Sequence, residues 1–336
     1  MEQASKLSYL TDLSPRDKLL ERRKAQTEEF KDLYLGTEYF KYAERMQDCG
    51  SRLVFKFRLR DNRRTRYKLQ SARFCRVPRC PQCQGRRALK WNAKTRQIMP
   101  KVLADNPKAR FIMLTLTVPN CELKDLRSQL TEMNKAWRKL LTRKELKLWG
   151  WIKTTEITRS AIDQAHPHYH VLLMVPPGYF TGANYITQQR WTELWSQCFK
   201  STQPLQVNVQ AVKPKKGASN QSESEQVISA TVEVIKYVFK PSESLLSDDE
   251  LQKPGKRIRM SNQDWLLGLT SQLNKTRFIA TGGVLKEYFK ELEDERQNAK
   301  EDLVHILNET LTEPDADEPD QVFDWKPEVK RYALTF

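Results

Sequence analysis

Three of the four histidines in the 336-residue chain lie at alternate positions, His166, His168 and His170. Because alternate residues of an extended strand point to the same face, this spacing predicts a strand that presents three imidazoles side by side. Neighbouring side chains on one face are about 6–7 Å apart, so two imidazoles can reach one metal ion. The apolar run 171–175 indicates that the strand continues into a core. We interpret the run as a metal or acid–base site; a polar strand end with unliganded histidines is the alternative.

Apolar patterning on both sides of this strand predicts further strands and helices. The strands are expected at 110–118, 151–158 and 205–211, and the helices at 122–146, 190–199 and 225–239. The strands at 151–158 and 166–175 are separated by a short linker, so we expect them to be antiparallel neighbours. In that arrangement Glu156 faces the same surface as His168 and His170.

Two imidazoles and one carboxylate can bind a divalent ion and leave positions open for substrate oxygens. This donor set suits Mg²⁺, Mn²⁺ or Zn²⁺, and it also matches the facial triad of non-haem iron oxygenases. Glu233 and Tyr237 of helix 225–239 and Lys240 just after it sit at i, i+4 and i+7, on one helical stripe. A tyrosine beside a lysine can act as a nucleophile. Taken alone, this stripe also fits an ordinary half-buried tyrosine with surface charges.

Four cysteines precede the central strands. Cys80 and Cys83 have the Cys-x-x-Cys spacing at which two thiolates reach one tetrahedral ion, and Cys49 and Cys75 can complete the set. We therefore expect a structural Zn²⁺ site. A redox dithiol or unliganded thiols are the alternatives, but the sequence around the pair lacks a thioredoxin-like βαβ pattern.

Positive charge is concentrated around these cysteines. The chain has a formal net charge of +16, and residues 51–110 contain nineteen Lys and Arg against two acidic residues. Such an excess predicts an anionic partner, either nucleic acid or an acidic membrane surface, with a solvated charged face as the alternative. The side chains expected to contact phosphates are Arg76, Arg79, Arg86, Arg87 and Lys90. The sequence shows neither a membrane-spanning run nor a signal peptide, so we expect a cytoplasmic protein without a membrane partner.

Three motifs, in order along the chain, resemble those of the HUH endonucleases. They are Met113-Leu-Thr-Leu-Thr-Val-Pro-Asn120, the His-Pro-His-Tyr-His run, and Glu233-x-x-x-Tyr237-x-x-Lys240. Within that superfamily the sequence looks most like the plasmid rolling-circle replication initiators of the Rep_1 type. The upstream cysteines and the region 269–283 also match them, and the resemblance covers roughly residues 45–290.

The resemblance implies an α+β fold in which helices pack on a central antiparallel sheet, the HUH endonuclease fold. It implies that His168 and His170 are ligands of a catalytic Mg²⁺ or Mn²⁺, with Glu156 as the third ligand. His166 stays open, either as a third imidazole or as a group that supports the ligands.

The resemblance also implies a reaction on single-stranded or hairpin origin DNA. Tyr237 would attack the scissile phosphate, forming a 5′-phosphotyrosine bond and leaving a 3′-OH primer. Lys240 would hold the phosphate or favour the phenolate, and Glu233 would assist hydrolysis at termination. A host helicase and polymerase are the expected protein partners. The alternatives are an HUH transposase or relaxase with the same chemistry, and a non-catalytic zinc-dependent DNA-binding regulator.

The sequence predicts four segments. A helical N-terminal arm covers 1–48, and a basic zinc- and DNA-binding module covers 49–108. A nickase domain covers 109–290, and an acidic, largely disordered tail covers 291–336.

Overall fold

The computed structural model describes residues 8–56, 68–160, 162–212, 222–236, 245–246, 260–294, 303–304 and 320–335. These residues form an α+β structure with two antiparallel sheets, which confirms the predicted α+β class and the antiparallel pairing. The chain divides into two compact units, one of Met1–Lys90 with Lys300–Phe336 and one of Trp91–Ala299. None of the described helices is both long and apolar enough to cross a bilayer.

The first unit contains a four-stranded sheet and the N-terminal helices. Its strands, in the spatial order β2-β1-β8-β9, are β1 (Arg52–Lys56), β2 (Lys68–Ala72), β8 (Gln321–Lys326) and β9 (Arg331–Leu334). Its helices are α1 (Leu10–Leu13), α2 (Lys18–Tyr34), α3 (Phe40–Met46) and the first part of α4 (Pro81–Asp105). The core of this unit is apolar and contains Leu10, Leu53, Phe55, Leu69, Phe323, Trp325 and Tyr332.

The hairpin of β8 and β9 corrects the prediction for the C-terminal segment. A largely disordered tail is wrong for residues 321–334, because β8 pairs with β1 and β9 pairs with β8. Phe323 and Trp325 alternate with polar residues and are buried, which is the pattern of a strand with one covered face. Arg52 on β1 donates two hydrogen bonds to Asp324 on β8, at 2.7 and 2.9 Å.

The N-terminal helices belong to this same unit. Leu10 is fully buried in the core that the hairpin completes. The backbone N–H of Tyr332 donates to the Glu21 carboxylate at 3.1 Å. The structure therefore combines the predicted arm, most of the cysteine module and the C-terminal hairpin, where the sequence suggested separate segments.

The second unit is built on a five-stranded antiparallel sheet in the spatial order β6-β3-β5-β4-β7. Its strands are β3 (Arg110–Thr117), β4 (Gly150–Arg159), β5 (Ala165–Val175), β6 (Val207–Ala211) and β7 (Ile279–Gly283). Its helices are the remainder of α4, then α5 (Leu126–Leu141), α6 (Gln188–Phe199), α7 (Glu223–Lys236), α8 (Asn262–Gln272) and α9 (Val284–Asp294). The predicted helix 225–239 is confirmed as far as Lys236, the last described residue of α7.

The two faces of this sheet carry different layers because side chains alternate along each strand. On one face Leu172 and Met174 pack with Val234 of α7 and with apolar residues of α4 and α9. The histidines occupy the same even-numbered positions of β5. On the other face Tyr169 donates a hydrogen bond to Asn134 of α5 at 2.9 Å.

Candidate functional site

The histidine strand β5 and its neighbour β4 are held in a register that assembles the site. Glu156 lies opposite His168, and Thr154 lies opposite His170. Directly opposed residues of an antiparallel pair share a face. The predicted antiparallel neighbours are therefore confirmed, and the carboxylate shares a face with both imidazoles.

Glu156, His168 and His170 converge closely enough to share one ion. Glu156 Oε2 is 2.8 Å from His170 Nε2 and is also hydrogen-bonded to His168 Nε2. One ligand atom from each residue lies within 4.8 Å of the other two. The two imidazole rings meet edge to face with centroids 4.9 Å apart. Their side chains are only 13 % and 11 % exposed, so a ligand would be largely shielded from bulk water.

The carboxylate of this cluster is kept ionised. Burial by itself raises the pKa of Glu156, but hydrogen bonds and positive charge from His168 and His170 outweigh it and lower the pKa to about 2. At neutral pH the carboxylate has no proton to lose on binding a cation, and the cluster has the chemistry of a divalent-metal site.

Oxygen atoms behind the imidazoles orient the rings. Thr115 Oγ1 is 3.3 Å from His170 Nδ1, and the backbone oxygen of His166 is 3.3 Å from His168 Nδ1. Once an ion replaces the protons that the Nε2 atoms share with Glu156, an Nδ1–H that donates to these oxygens would leave both Nε2 atoms as ligands, as is typical of metal-binding histidines. Sequence reasoning missed Thr115, although it lies within the first of the three motifs.

His166 stands beside the cluster. Its ring meets that of His168 edge to face, with centroids 5.3 Å apart. Burial and the neighbouring His168 lower the pKa of His166, and its ring nitrogens are not among the three converging ligand atoms.

Helix α7 packs against β3, β4 and β5, and its last described turn lies beside the histidine pair. Thr154 Oγ1 donates to the carbonyl of Val234 at 3.0 Å and is 3.2 Å from the carbonyl of His170. Glu233, half-buried, is therefore in the helical turn next to the cluster. Tyr237 and Lys240 lie outside the described residues.

The four predicted cysteines also come together, in the first unit. The Sγ atoms of Cys49 and Cys80, and of Cys49 and Cys83, are 3.6 Å apart, and those of Cys75 and Cys83 are 3.5 Å apart. Disulfide sulfurs would be about 2 Å apart, whereas thiolates around one tetrahedral ion with bonds of about 2.3 Å are separated by about 3.8 Å. The cluster therefore fits a thiophilic metal ion.

Backbone hydrogen bonds and a glycine help to bring the four cysteines together. Backbone N–H groups of Cys75 and Arg76 donate to the sulfurs of Cys49 and Cys83, at 3.4 and 3.2 Å. Gly50 has φ +64°, and a Cβ there would lie 2.9 Å from Gln82 Nε2. A glycine after Cys49 thus meets both a backbone and a space requirement.

The five predicted DNA-contacting side chains differ in exposure. Arg76 is exposed, and Arg79, Arg87 and Lys90 are half-buried. Arg86 is buried and donates to the carbonyls of Leu303 and Val304 at 2.6 and 2.7 Å. Its guanidinium thus stabilises the first unit, which corrects its predicted role as a phosphate contact.

Residues 66–333 match the sequence profile of a family described as "Replication protein". The chain belongs to this family. The match confirms the resemblance to Rep_1-type replication proteins that the three motifs and the cysteines predicted.

Several proteins of this kind are similar over most of their length. A "Protein rep" of Bacillus amyloliquefaciens is 34 % identical over 308 residues, covering 89 % of this chain and 87 % of the relative. A "Protein rep" of Lactiplantibacillus plantarum is 32 % identical over 295 residues, covering 86 % of each. A "Replication protein" of Staphylococcus aureus is 29 % identical over 252 residues, covering 73 % of this chain and 99 % of the relative. No solved structure matches the chain.

The Glu156 cluster predicts binding of a divalent cation. Glu156→Gln keeps the shape of the side chain but removes the charge, and we expect affinity for Mn²⁺ to fall by about 100-fold or more, since even weakening a ligand's hydrogen-bond partner costs about 10–100-fold. Isothermal titration calorimetry measures this change. The matched control is Glu122→Gln, an exposed carboxylate, which should leave affinity unchanged. Equal Mn²⁺ affinity in all three proteins would contradict the assignment.

The cysteine cluster predicts about one equivalent of a thiophilic metal ion per purified chain. Cys83→Ser should reduce that content to near zero and lower the melting temperature, because metal binding at such a site is coupled to folding. Cys121→Ser, which changes a cysteine outside the cluster, should change neither. Plasma mass spectrometry measures the metal content, and thermal unfolding measures the melting temperature. Metal-free protein that melts at the same temperature as the metal-loaded form would refute the site.

Proposed function

We propose that this protein initiates rolling-circle replication of a plasmid by acting as a metal-dependent, site- and strand-specific DNA nickase. The observation that carries the proposal is the convergence of Glu156, His168 and His170 on the sheet face where the last described turn of α7 packs, in a chain of the replication protein family. The proposed catalytic unit has the HUH endonuclease fold.

Glu156, His168 and His170 would hold Mg²⁺ or Mn²⁺. When bound, such an ion polarises a non-bridging phosphate oxygen and offsets the charge that develops in the transition state. The oxygens behind the rings keep the imidazoles aimed at the ion, and His166 supports His168 by ring contact.

Tyr237 is the proposed nucleophile. Its phenolate oxygen forms a bond to phosphorus while the bond from phosphorus to the 3′ oxygen breaks, and the leaving oxygen takes up a proton as the 3′-OH primer. The hydrogen bond from Thr154 to Val234 supports this role, because it ties the last described turn of α7 to β4, at the residue opposite His170 and three residues before Tyr237. Lys240 would favour the phenolate or hold the phosphate.

Glu233 is the proposed base for termination. It precedes Tyr237 by four residues, a spacing that places two side chains on the same side of a helix. The carboxylate would activate water to cleave the closing site, so that the second cut would leave no protein on the DNA.

The cysteine cluster would hold a structural Zn²⁺ ion, the metal that most often takes four thiolates in such sites. Arg76, Arg79, Arg87 and Lys90 would contact the phosphates of single-stranded or hairpin origin DNA. Host helicase and polymerase would then act from the 3′-OH end.

A Tyr237→Phe variant tests the nucleophile. Oligonucleotides tiling one strand of the plasmid origin, labelled at the 3′ end, should attach the label covalently to wild-type protein with Mn²⁺. The variant should give no labelled adduct, because phenylalanine lacks the attacking oxygen. Tyr185→Phe, at an exposed tyrosine, is the matched control and should react like wild type.

Three other outcomes of this experiment would contradict parts of the proposal. An adduct that persists in Tyr237→Phe would remove this residue as nucleophile. Tight, zinc-dependent DNA binding without cleavage of any strand would favour the non-catalytic regulator. Cleavage only at transposon ends or a transfer origin would favour a transposase or a relaxase.

A Glu233→Gln variant tests termination separately. First-strand nicking should continue at a near wild-type rate, since Tyr237 is intact, while release of protein-free product after the second cut should fall by about 100-fold, the scale of general-base catalysis. Gel analysis of a two-site substrate measures both steps in one reaction. Glu225→Gln alters an exposed carboxylate of the same helix and should leave both steps intact. Equal loss of both steps in Glu233→Gln would reject this role.

A further inference from the structure

A cavity lies on the face of the five-stranded sheet opposite the Glu156 cluster. Its volume is about 490 Å³, within the range typical of small-molecule sites. The strand residues that line it, Trp151, Lys153 and Ala280, are cross-strand neighbours on β4 and β7. Lys153 is three positions from Glu156, so alternation places the two side chains on opposite faces.

Positive charge dominates the wall of this cavity. Five cationic side chains contribute, from α5, β4 and the segment before β7: Arg127, Arg138, Lys153, Lys275 and Arg277. None of the described lining residues is acidic. Arg127 donates to the carbonyls of Ser271 and Asn274, at 2.8 and 3.3 Å, so the rim is anchored to the end of α8.

Lys153 gives the cavity a buried amino group. The residue is only 5 % exposed, its Nζ donates to the neutral Asn134 side chain at 3.0 Å, and it lies 3.6 Å from the centre of the Tyr169 ring. Burial lowers the pKa of Lys153 to about 7. An anionic ligand would supply the opposite charge that a buried ammonium favours.

Aromatic and polar groups complete the wall. Trp137 and Trp151 meet edge to face with centroids 5.2 Å apart, and Trp151 is half-buried. Thr131, Thr276 and Asn134 add hydrogen-bonding groups. Flat apolar surface beside clustered cations is the chemistry that recognises a base joined to a phosphate.

We propose that this cavity binds a nucleoside phosphate. The ligand is either one nucleotide of a DNA strand or a free nucleotide, since both offer the same base and phosphate. The inference does not depend on nicking at the Glu156 cluster, which lies on the other face.

The test uses the full-length protein and isothermal titration calorimetry at fixed ionic strength. The probes are thymidine 3′,5′-bisphosphate, dATP, a single-stranded dT₆ oligonucleotide and inorganic pyrophosphate. We expect saturable binding of the nucleoside phosphates and an affinity at least about tenfold lower in Arg138→Gln/Arg277→Gln, since each contact to a charged group contributes substantially. Lys139→Gln/Lys144→Gln removes the same charge from exposed positions nearby and should bind within about twofold of wild type.

A His168→Ala/His170→Ala variant distinguishes binding in the cavity from binding at the Glu156 cluster. It should bind the bisphosphate with the same affinity as wild type. Among binding that is weakened in Arg138→Gln/Arg277→Gln, tighter binding of dT₆ than of dATP identifies a DNA strand as the source, and the reverse order identifies a free nucleotide. The proposal is overturned if neither the bisphosphate nor dATP binds saturably, or if pyrophosphate binds as tightly as the bisphosphate. Equal losses in the cavity variant and the lysine control would also overturn it.

Discussion

The pairing register between β4 and β5 is the constraint on which the candidate site depends. A slip of one residue would turn every side chain of a strand to the opposite face, and Glu156 would then no longer lie opposite His168. The register is secured away from the site, where Leu172, Leu173 and Met174 are fully buried and resist any shift that would expose them. Apolar packing at the C-terminal end of β5 thus fixes the positions of His168 and His170 nearer its start.

The polar cluster itself would oppose folding without its internal partners. A buried carboxylate costs several kcal/mol when unpaired, yet Glu156 lies between two imidazoles whose far nitrogens meet oxygens of Thr115 and His166. The set is therefore preorganised, because each donor atom is oriented before a cation arrives. Preorganisation of this kind keeps coordination positions directed at a substrate without rearrangement of the chain.

Local patterns in the sequence predicted what depends on short distances along the chain. The Glu156 cluster could be predicted from the alternation of His168 and His170 and the short linker back to Glu156. The cysteine cluster could be predicted from the Cys80–Cys83 spacing. What the sequence did not indicate depends on pairing between remote segments. Phe323 and Trp325 form a strand because β1 lies beside them, and the preceding acidic run obscured that alternation.

The same limit explains the groups missed around the clusters. Thr115 and Lys153 carry no motif of their own and gain significance only from the strands and helices beside them. Arg86 looked like its basic neighbours in the sequence, but carbonyls of residues 303 and 304 occupy its guanidinium. A charge count cannot separate an arginine that binds DNA from one that joins two segments of its own unit.

The strand residue between the two histidines links the faces of the sheet. Tyr169 points away from the Glu156 cluster, donates to Asn134 and lies under the amino group of Lys153. The strand that carries His168 and His170 is thus held in place, through Tyr169, by two residues that line the basic cavity, Asn134 and Lys153. A ligand that tightened the contact between Lys153 and Asn134 would restrict the strand that carries both imidazoles, whereas strand alternation keeps that ligand away from the Glu156 cluster. The two faces of the sheet therefore share strand β5. Residues of the Glu156 cluster and of the basic cavity can each be substituted without directly removing side chains of the other site.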